Sequence, residues 1–399
     1  MRFMSEGGQP VSWIPSNPWW GETYYEPSPV DNEIMTPQRW DLRPSANHFT
    51  LLRLLLAVLV IVVHSFTLLV PLAERAPVHW AVVLGDLAVS GFFAVSGCLI
   101  SASWARSPNF GAYLRKRVLR IYPGYLAAGI VCALGFAALG VPDARAYYAS
   151  LSLPKYALQL LRLSMIQTPG AFASNPDPSL NGSSWTILME FWCYLLVPIV
   201  ASIGMKRWRP AISLLLGISL ALYALQLFWP DGGWWSPDRD STWHELRVPV
   251  PLFWQGRWPR LLSAFWAGAA FFVYRDHIPH CKTCAAICAG TLLVASFWEP
   301  LFLLLWPICG SYLLFWFAWH PRVQSPGWTE RYDLSYGTYL YAFPIQQVLV
   351  RHVPGITPVA LFLIALPLAL GCGWGSWRLV ELPALKWKPR AKATKADHS

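Results

Sequence analysis

Arg53 and His64 stand eleven residues apart inside one apolar run. At about 100° per residue they fall about 20° from eclipsed and roughly 16 Å apart along one helix face. An ionisable side chain inside a bilayer span costs about 2.5–3.5 kcal/mol on insertion scales, so it normally faces a cavity or a partner and marks function. The bland alternative is a packed histidine bonded to a neighbouring helix and an arginine that snorkels to the interface. A second apolar run opens at Trp185 and carries Glu190 one and a half turns in. If the first run starts at the inner surface, His64 lies about 20 Å up; if the second starts outside, Glu190 lies about 7 Å down a core of about 30 Å. Asp86, near the outer start of another run, lands slightly higher. The spacing therefore predicts three titratable groups converging on one polar pocket in the outer half, with an interfacial charge as the plainer account of Asp86.

Other residues can shape or hold a substrate. Phe92 and Phe93 precede Ser96 and Gly97, a run whose small residues permit close helix approach and whose aromatics can wall a channel. Arg115, Lys116, Arg117 and Arg120 precede Ile121, Tyr122 and Pro123 at an expected inner surface. Arg117 and Arg120 share a helix face and suit a phosphate clamp, against ordinary topology signalling by basic residues. Asp333, Ser335, Tyr336, Gly337 and Tyr339 give another run a polar start, which is either a helix cap or part of a donor site. Outside, Trp234, Trp235, Trp243, Trp254 and Trp258 are able to stack on sugars or anchor the chain at the interface. Cys281 and Cys284 form an isolated pair that opens a span, with no second pair to complete a metal site. No metal is expected.

These groups need elements to hold them, and the composition says which. The chain has 399 residues, 55% hydrophobic and only 13% charged, against about 25% charged in a soluble domain. Apolar runs near 50–70, 82–104, 118–140, 185–203, 211–229, 259–275, 284–298, 300–318, 334–352 and 356–378 read as about ten spans. The net charge of +10 sits in short basic clusters between those runs, where it sets orientation rather than binding nucleic acid. The expected architecture is all-α and polytopic, with both termini cytoplasmic. Residues 1–46 read as a poorly ordered cytoplasmic arm, 47–385 as the membrane domain and 386–399 as a basic tail. Residues 141–184 must begin and end outside, with an interfacial or re-entrant piece near 147–166.

Taken in order, these segments resemble acyltransferase family 3, integral-membrane O-acyltransferases of bacterial glycans. The resemblance covers about residues 47–385 and rests on the Arg53 to His64 spacing, Phe92-Phe93-x-x-Ser96-Gly97, Arg117-x-x-Arg120-Ile-Tyr-Pro123, Trp185-Thr186 with Glu190 and Tyr194, Phe265-x-x-Gly268, Asp333-x-Ser335-Tyr336-Gly337-x-Tyr339 and a closing Ser376 to Glu381-x-Pro383. Ala342 departs from it, since many relatives carry histidine there. The resemblance implies a multi-pass protein of the cytoplasmic (inner) membrane that binds acyl-CoA, acetyl-CoA first among them, from the cytoplasm. The acceptor is a sugar hydroxyl of a surface or exported glycan, free or lipid-linked. His64 is then the catalytic imidazole with Glu190 orienting it. Arg53, Ser96, Arg117, Arg120, Tyr122, Asp333 and Tyr336 serve the donor, while Asp86, Phe92, Phe93 and Trp185 line the pocket. The rival from another class is a proton-coupled transporter or a lipid or glycan flippase, which the same buried charges would suit.

Overall fold

The computed structural model describes residues 48–203, 208–229, 257–323 and 325–387. The N-terminal arm, the tryptophans at 234, 235, 243 and 254, Lys206, Arg207 and nearly all of the basic tail lie outside them. The described residues are almost entirely helical; their one β-bridge is isolated and pairs Ile166 with Asn181.

The helices are α1 (Phe49–Thr67), α2 (His79–Arg106), α3 (Phe110–Gly140), α4 (Ala144–Ser150), α5 (Leu153–Leu161), α6 (Trp185–Ile203), α7 (Trp208–Phe228), α8 (Trp258–Tyr274), α9 (Lys282–Ala295), α10 (Glu299–Ala318), α11 (Ser335–His352) and α12 (Pro358–Leu385). A helix stands at every one of the ten expected positions, but seven among the described residues are long and apolar enough to cross a bilayer: α1, α2, α3, α6, α7, α10 and α12. The other three fall short for different reasons. α9 is only 14 residues long. α8 and α11 are interior helices: Trp258 to Ala269 and Gly337 to Gln347 are buried in unbroken runs. A helix surrounded by protein has no need of a lipid-matched surface, so α11 can carry Thr338, Gln346 and Gln347 in its middle.

α2 and α8 approach most closely, and glycine makes this possible. A Cβ built on Gly97 would stand 1.9 Å from the Phe265 carbonyl oxygen, and one on Gly268 would stand 1.9 Å from that of Ala94. The two backbones touch, as small residues allow between helices in a membrane. α11 and α12 meet similarly, with a Cβ on Gly337 falling 2.8 Å from Gly373 Cα.

Residues 141–184 take the re-entrant form of the two expected near 147–166. They form α4 and α5, which follow α3 inward from Ala133 to Tyr122, and the chain later runs down the side of α11 as well. Asn175 donates to Gln347 Oε1 at 2.9 Å, Asn181 donates to the Leu340 carbonyl at 2.8 Å, and Thr186 bonds the Tyr339 hydroxyl at 2.8 Å. Gln347 to Leu340 is seven residues of helix, a descent of about 10 Å. The segment brings its own polar backbone to that depth because side chains supply the missing partners: Gln347 Nε2 donates to the Asp177 carbonyl and Ser184 Oγ accepts from Ile166 N. α6 therefore begins well inside the bundle.

Replacing Gly97 by Val should force α2 and α8 apart and lower the apparent melting temperature of the detergent-solubilised protein by about 5 °C or more. Gly217→Ala on α7, where a Cβ meets nothing within 4 Å, should leave it within error in the same scan.

Candidate functional site

The deep start of α6 decides where the polar groups meet. Glu190 lies beside Ser96 and Tyr194, accepting from Ser96 Oγ at 2.7 Å and from the Tyr194 hydroxyl at 2.5 Å. These residues line an open-mouthed cavity with about 620 Å³ of empty space, together with Arg53, Val89, Phe92, Phe93, Arg120, Thr186, Tyr336 and Tyr339. The cavity thus gathers residues of α1, α2, α3, α6 and α11 at the Arg53 end of the bundle.

The floor of this region is a buried charge network. Asp333 Oδ2 accepts from Arg53 Nη2 at 2.8 Å and from Arg120 Nη2 at 3.0 Å, while Oδ1 takes the Ser335 hydroxyl at 2.6 Å. Arg120 Nη1 reaches Glu381 Oε2 at 3.0 Å, and Ser376 Oγ donates to the other oxygen at 3.0 Å. Ser376 and Glu381 are five residues apart across a π-helical turn, Trp377–Glu381, whose widened repeat brings them together. Burial alone would raise the Asp333 carboxyl, but the Arg53 and Arg120 guanidiniums outweigh it and hold the group below its usual value. Two cations thus face two anions and join α1, α3, α11 and α12.

The two arginines of the basic run part company. Arg120 is 8% exposed and held in that network, with its guanidinium 5.2 Å from the Tyr336 ring. Arg117 lies under the Tyr113 and Tyr194 rings at 5.6 and 5.8 Å, with Ser103 Oγ at 3.3 Å. A guanidinium already committed to two carboxylates is poorly placed to clamp a phosphate, whereas Arg117 has no carboxylate among these contacts.

His64 and Asp86 do not join the cavity, and the expected convergence with Glu190 is overturned. Val63 packs on Gly85 and Leu56 on Gly91, so the antiparallel α1 and α2 place His64 level with residue 84. That is five residues, about 7 Å, beyond Val89 on the cavity wall. The error came from starting α6 at the membrane surface. Asp86 instead pairs with Arg260 Nη1 of α8 at 2.7 Å. The His64 ring sits edge-on to Phe343 at 4.9 Å, and Arg75 and Asp177, themselves paired at 2.8 Å, are its charged neighbours. Phe343 is one turn beyond Tyr339, whose ring meets Phe92 at 5.7 Å, so aromatic side chains separate the cavity from the imidazole.

Trp185 and Tyr122 stand apart from the cavity lining. Trp185 packs under the Arg257 guanidinium at 4.6 Å, and Tyr122 donates to the Leu161 carbonyl at 3.1 Å with its ring on Phe191. Ala342 is buried in α11. Sequence reasoning assigned no role to Glu381 or to Asn175, Asp177, Gln346 and Gln347. A glutamate five residues from a serine, inside an apolar run, was the available signal for the first. Among the described residues no cluster of His, Cys, Asp or Glu could hold a metal ion.

Asp333→Ala should be severe, because it strips Arg53 of its carboxylate and Arg120 of one of two; breaking a buried pair costs about 3–5 kcal/mol. Glu381→Gln keeps an acceptor oxygen for Arg120 and turns its amide N–H toward Ser376 Oγ, which can accept, and should cost clearly less. Denaturant or thermal unfolding in detergent that ranks the two equally would contradict this assignment.

Comparison with known proteins adds an independent line. The family model described as acyltransferase domain matches residues 47–378. An O-acetyl transferase of Shigella phage Sf6 is 29% identical over 344 residues, covering 84% of this chain and 95% of that protein. Nodulation protein 10 of Rhizobium leguminosarum bv. viciae is 24% identical over 371 residues, covering 85% of this chain and 93% of that protein. No solved structure matches the chain significantly.

Proposed function

The chain belongs to the acyltransferase domain family and is an acyltransferase, and from that premise we propose that it moves an acetyl group from cytoplasmic acetyl-CoA to a sugar hydroxyl of a surface or exported glycan. The observation that carries the reading is the open cavity at the Arg53 end, lined by Ser96, Glu190 and Arg120, with a half-buried imidazole on the far side of the Phe343 ring. An acetyl donor is supported by the name of the phage relative. The multi-pass helical bundle supports placement in the inner membrane, where a cytoplasmic donor and an exported acceptor can meet from opposite sides.

The chemistry follows from the residue types. As the sugar oxygen attacks the thioester carbonyl, the His64 imidazole takes its proton; the C–S bond breaks and the same imidazole protonates the departing thiolate. Arg117 contacts a phosphate of the donor electrostatically. Phe92, Phe93 and Tyr339 wall the path of the acyl arm. Glu190, bonded to Ser96 and Tyr194, shapes and charges the cavity rather than touching His64. A route through transient acylation of His64 uses the same residues, with the acyl group crossing on the ring. A carrier reading needs none of this chemistry, and the acyltransferase family match removes its support.

His64→Ala should insert and fold yet lose acyl transfer by at least about a hundredfold, measured with radiolabelled acetyl-CoA in membranes. Normal product from that variant would refute the reading. Arg117→Glu should raise the donor KM about tenfold or more with a smaller change in kcat; an unchanged KM would remove Arg117 from the donor site.

A further inference from the structure

His64 Nδ1 is buried and has no hydrogen-bond partner. An imidazole acting as a base at Nε2 must carry its proton on Nδ1, and a hydrogen bond there is what normally fixes that tautomer. One side chain nearby presents the complementary defect. Gln346 of α11 is fully buried, and its Oε1 also lacks a partner.

The orientation of Gln346 is dictated by α1. Its Nε2 donates to the Ile61 carbonyl at 2.9 Å and to Ser65 Oγ at 2.8 Å, while Ser65 Oγ itself donates to the Ile61 carbonyl at 2.9 Å. A backbone carbonyl only accepts, so the amide nitrogen must face Ile61 and the amide oxygen must face away. The amide is thereby seated beside the turn of α1 that contains His64, next in sequence to Ser65, with its oxygen turned from the Ile61 carbonyl and still unpaired. On α11, Phe343 stands three residues before Gln346, on the same helix face, and Phe343 is the ring that touches His64. Two contacts thus bring the two residues that carry the orphaned atoms to neighbouring positions on the α1–α11 seam, one atom able to donate and one able only to accept.

We propose that Gln346 is a positioning residue for the acyl transfer, its Oε1 accepting the Nδ1–H of His64 in the working state, so that Nε2 is left free to take the hydroxyl proton. The inference rests on His64 being the catalytic base. The bond moves no proton between the two residues; it fixes the ring and its tautomer. The charged groups that face the ring, Asp177 and Arg75, are already paired with each other at 2.8 Å, and Asp177 Oδ1 also accepts from Ser179 N at 3.0 Å. Gln346 is the neutral acceptor left over.

The test compares Gln346→Leu and Gln346→Glu with the parent full-length protein in detergent or nanodiscs, with His64→Ala as the reference. In Gln346→Leu, kcat should fall about thirtyfold while the KM for acetyl-CoA stays within twofold, because the donor cavity is a turn or more away. Gln346→Glu, whose protonated acid still donates to the Ile61 carbonyl while its other oxygen remains an acceptor, should recover at least a third of the parent kcat at a pH low enough to keep that acid protonated. Histidine-selective 15N NMR, with the His64 signal identified by its loss in His64→Ala, should show the Nδ1-protonated tautomer in the parent and a mixture in Gln346→Leu. A Gln346→Leu variant with parent kcat, or an unchanged tautomer signal in it, overturns the proposal. If instead His64→Ala retains activity, the catalytic reading itself fails, and the two failures are told apart in one set of assays.

Discussion

The Arg53–Asp333–Arg120–Glu381 network is the interaction on which the site's geometry depends. Two guanidiniums and two carboxylates lie where water is scarce, and each charge is tolerable only because the others stand within hydrogen-bond distance. Its members come from α1, α3, the start of α11 and the end of α12, segments separated by up to 328 positions in the chain, so the network fixes register between helices that apolar packing would let slide. Everything above it inherits that register. The cavity takes its cationic lining from Arg53 and Arg120, and α11, anchored by Asp333 and Ser335, carries Tyr339, Phe343 and Gln346 upward at fixed heights.

A second constraint acts from the opposite end. The segment that descends beside α11 exposes backbone donors and acceptors at a depth where lipid offers none; Gln347 and Ser184 side chains satisfy two of them, while Asn175 and Asn181 donate to the Gln347 and Leu340 carbonyls of α11. This polar lining is an answer to the backbone before it is anything chemical. Its consequence is functional all the same. By starting α6 deep inside, the segment sends Glu190 to the Arg53 end and leaves His64 with Phe343, Gln346 and the Arg75–Asp177 pair. Gly182 is small for the same reason: a Cβ there would stand 2.6 Å from the Phe343 ring, so the aromatic that separates cavity and imidazole is seated against a residue with no side chain.

Much of this was legible in the sequence. Helices stand where apolar runs predicted them, and Arg53, Ser96, Arg120, Glu190, Phe92, Phe93 and Tyr336 do line one cavity. Residues inside long apolar runs are legible because their depth follows from a fixed rise per residue. Depth fails when the starting point is wrong, as it was for α6, because nothing in the sequence around Asn181 says that polar side chains of a distant helix will carry the chain inward. Arg117 and Arg120 mark a similar limit. Spacing put them on one face, but their partners, Tyr113 and Tyr194 for one and Asp333 and Glu381 for the other, come from elsewhere in the chain and divide their tasks. Gln346 and Asp177 gave no signal at all, since a lone amide or carboxylate without a neighbouring motif is indistinguishable from a capping or packing residue.

The separation of cavity and imidazole bears on the reaction itself. On the proposed reaction, a thioester held among Ser96, Glu190 and Tyr339 would stand on the near side of Phe343, with His64 on the far side. The proposed chemistry then requires the acyl arm to extend about one helical turn past the cavity, between aromatic rings, before the imidazole could act on it. An aromatic constriction admits a slim thioester arm more readily than a hydrated sugar, so on that reading the donor would thread it and the acceptor would wait beyond. The same reading favours a short acyl group, because each added methylene would have to clear Phe92, Tyr339 and Phe343 in turn, and acetyl would displace the packed rings least.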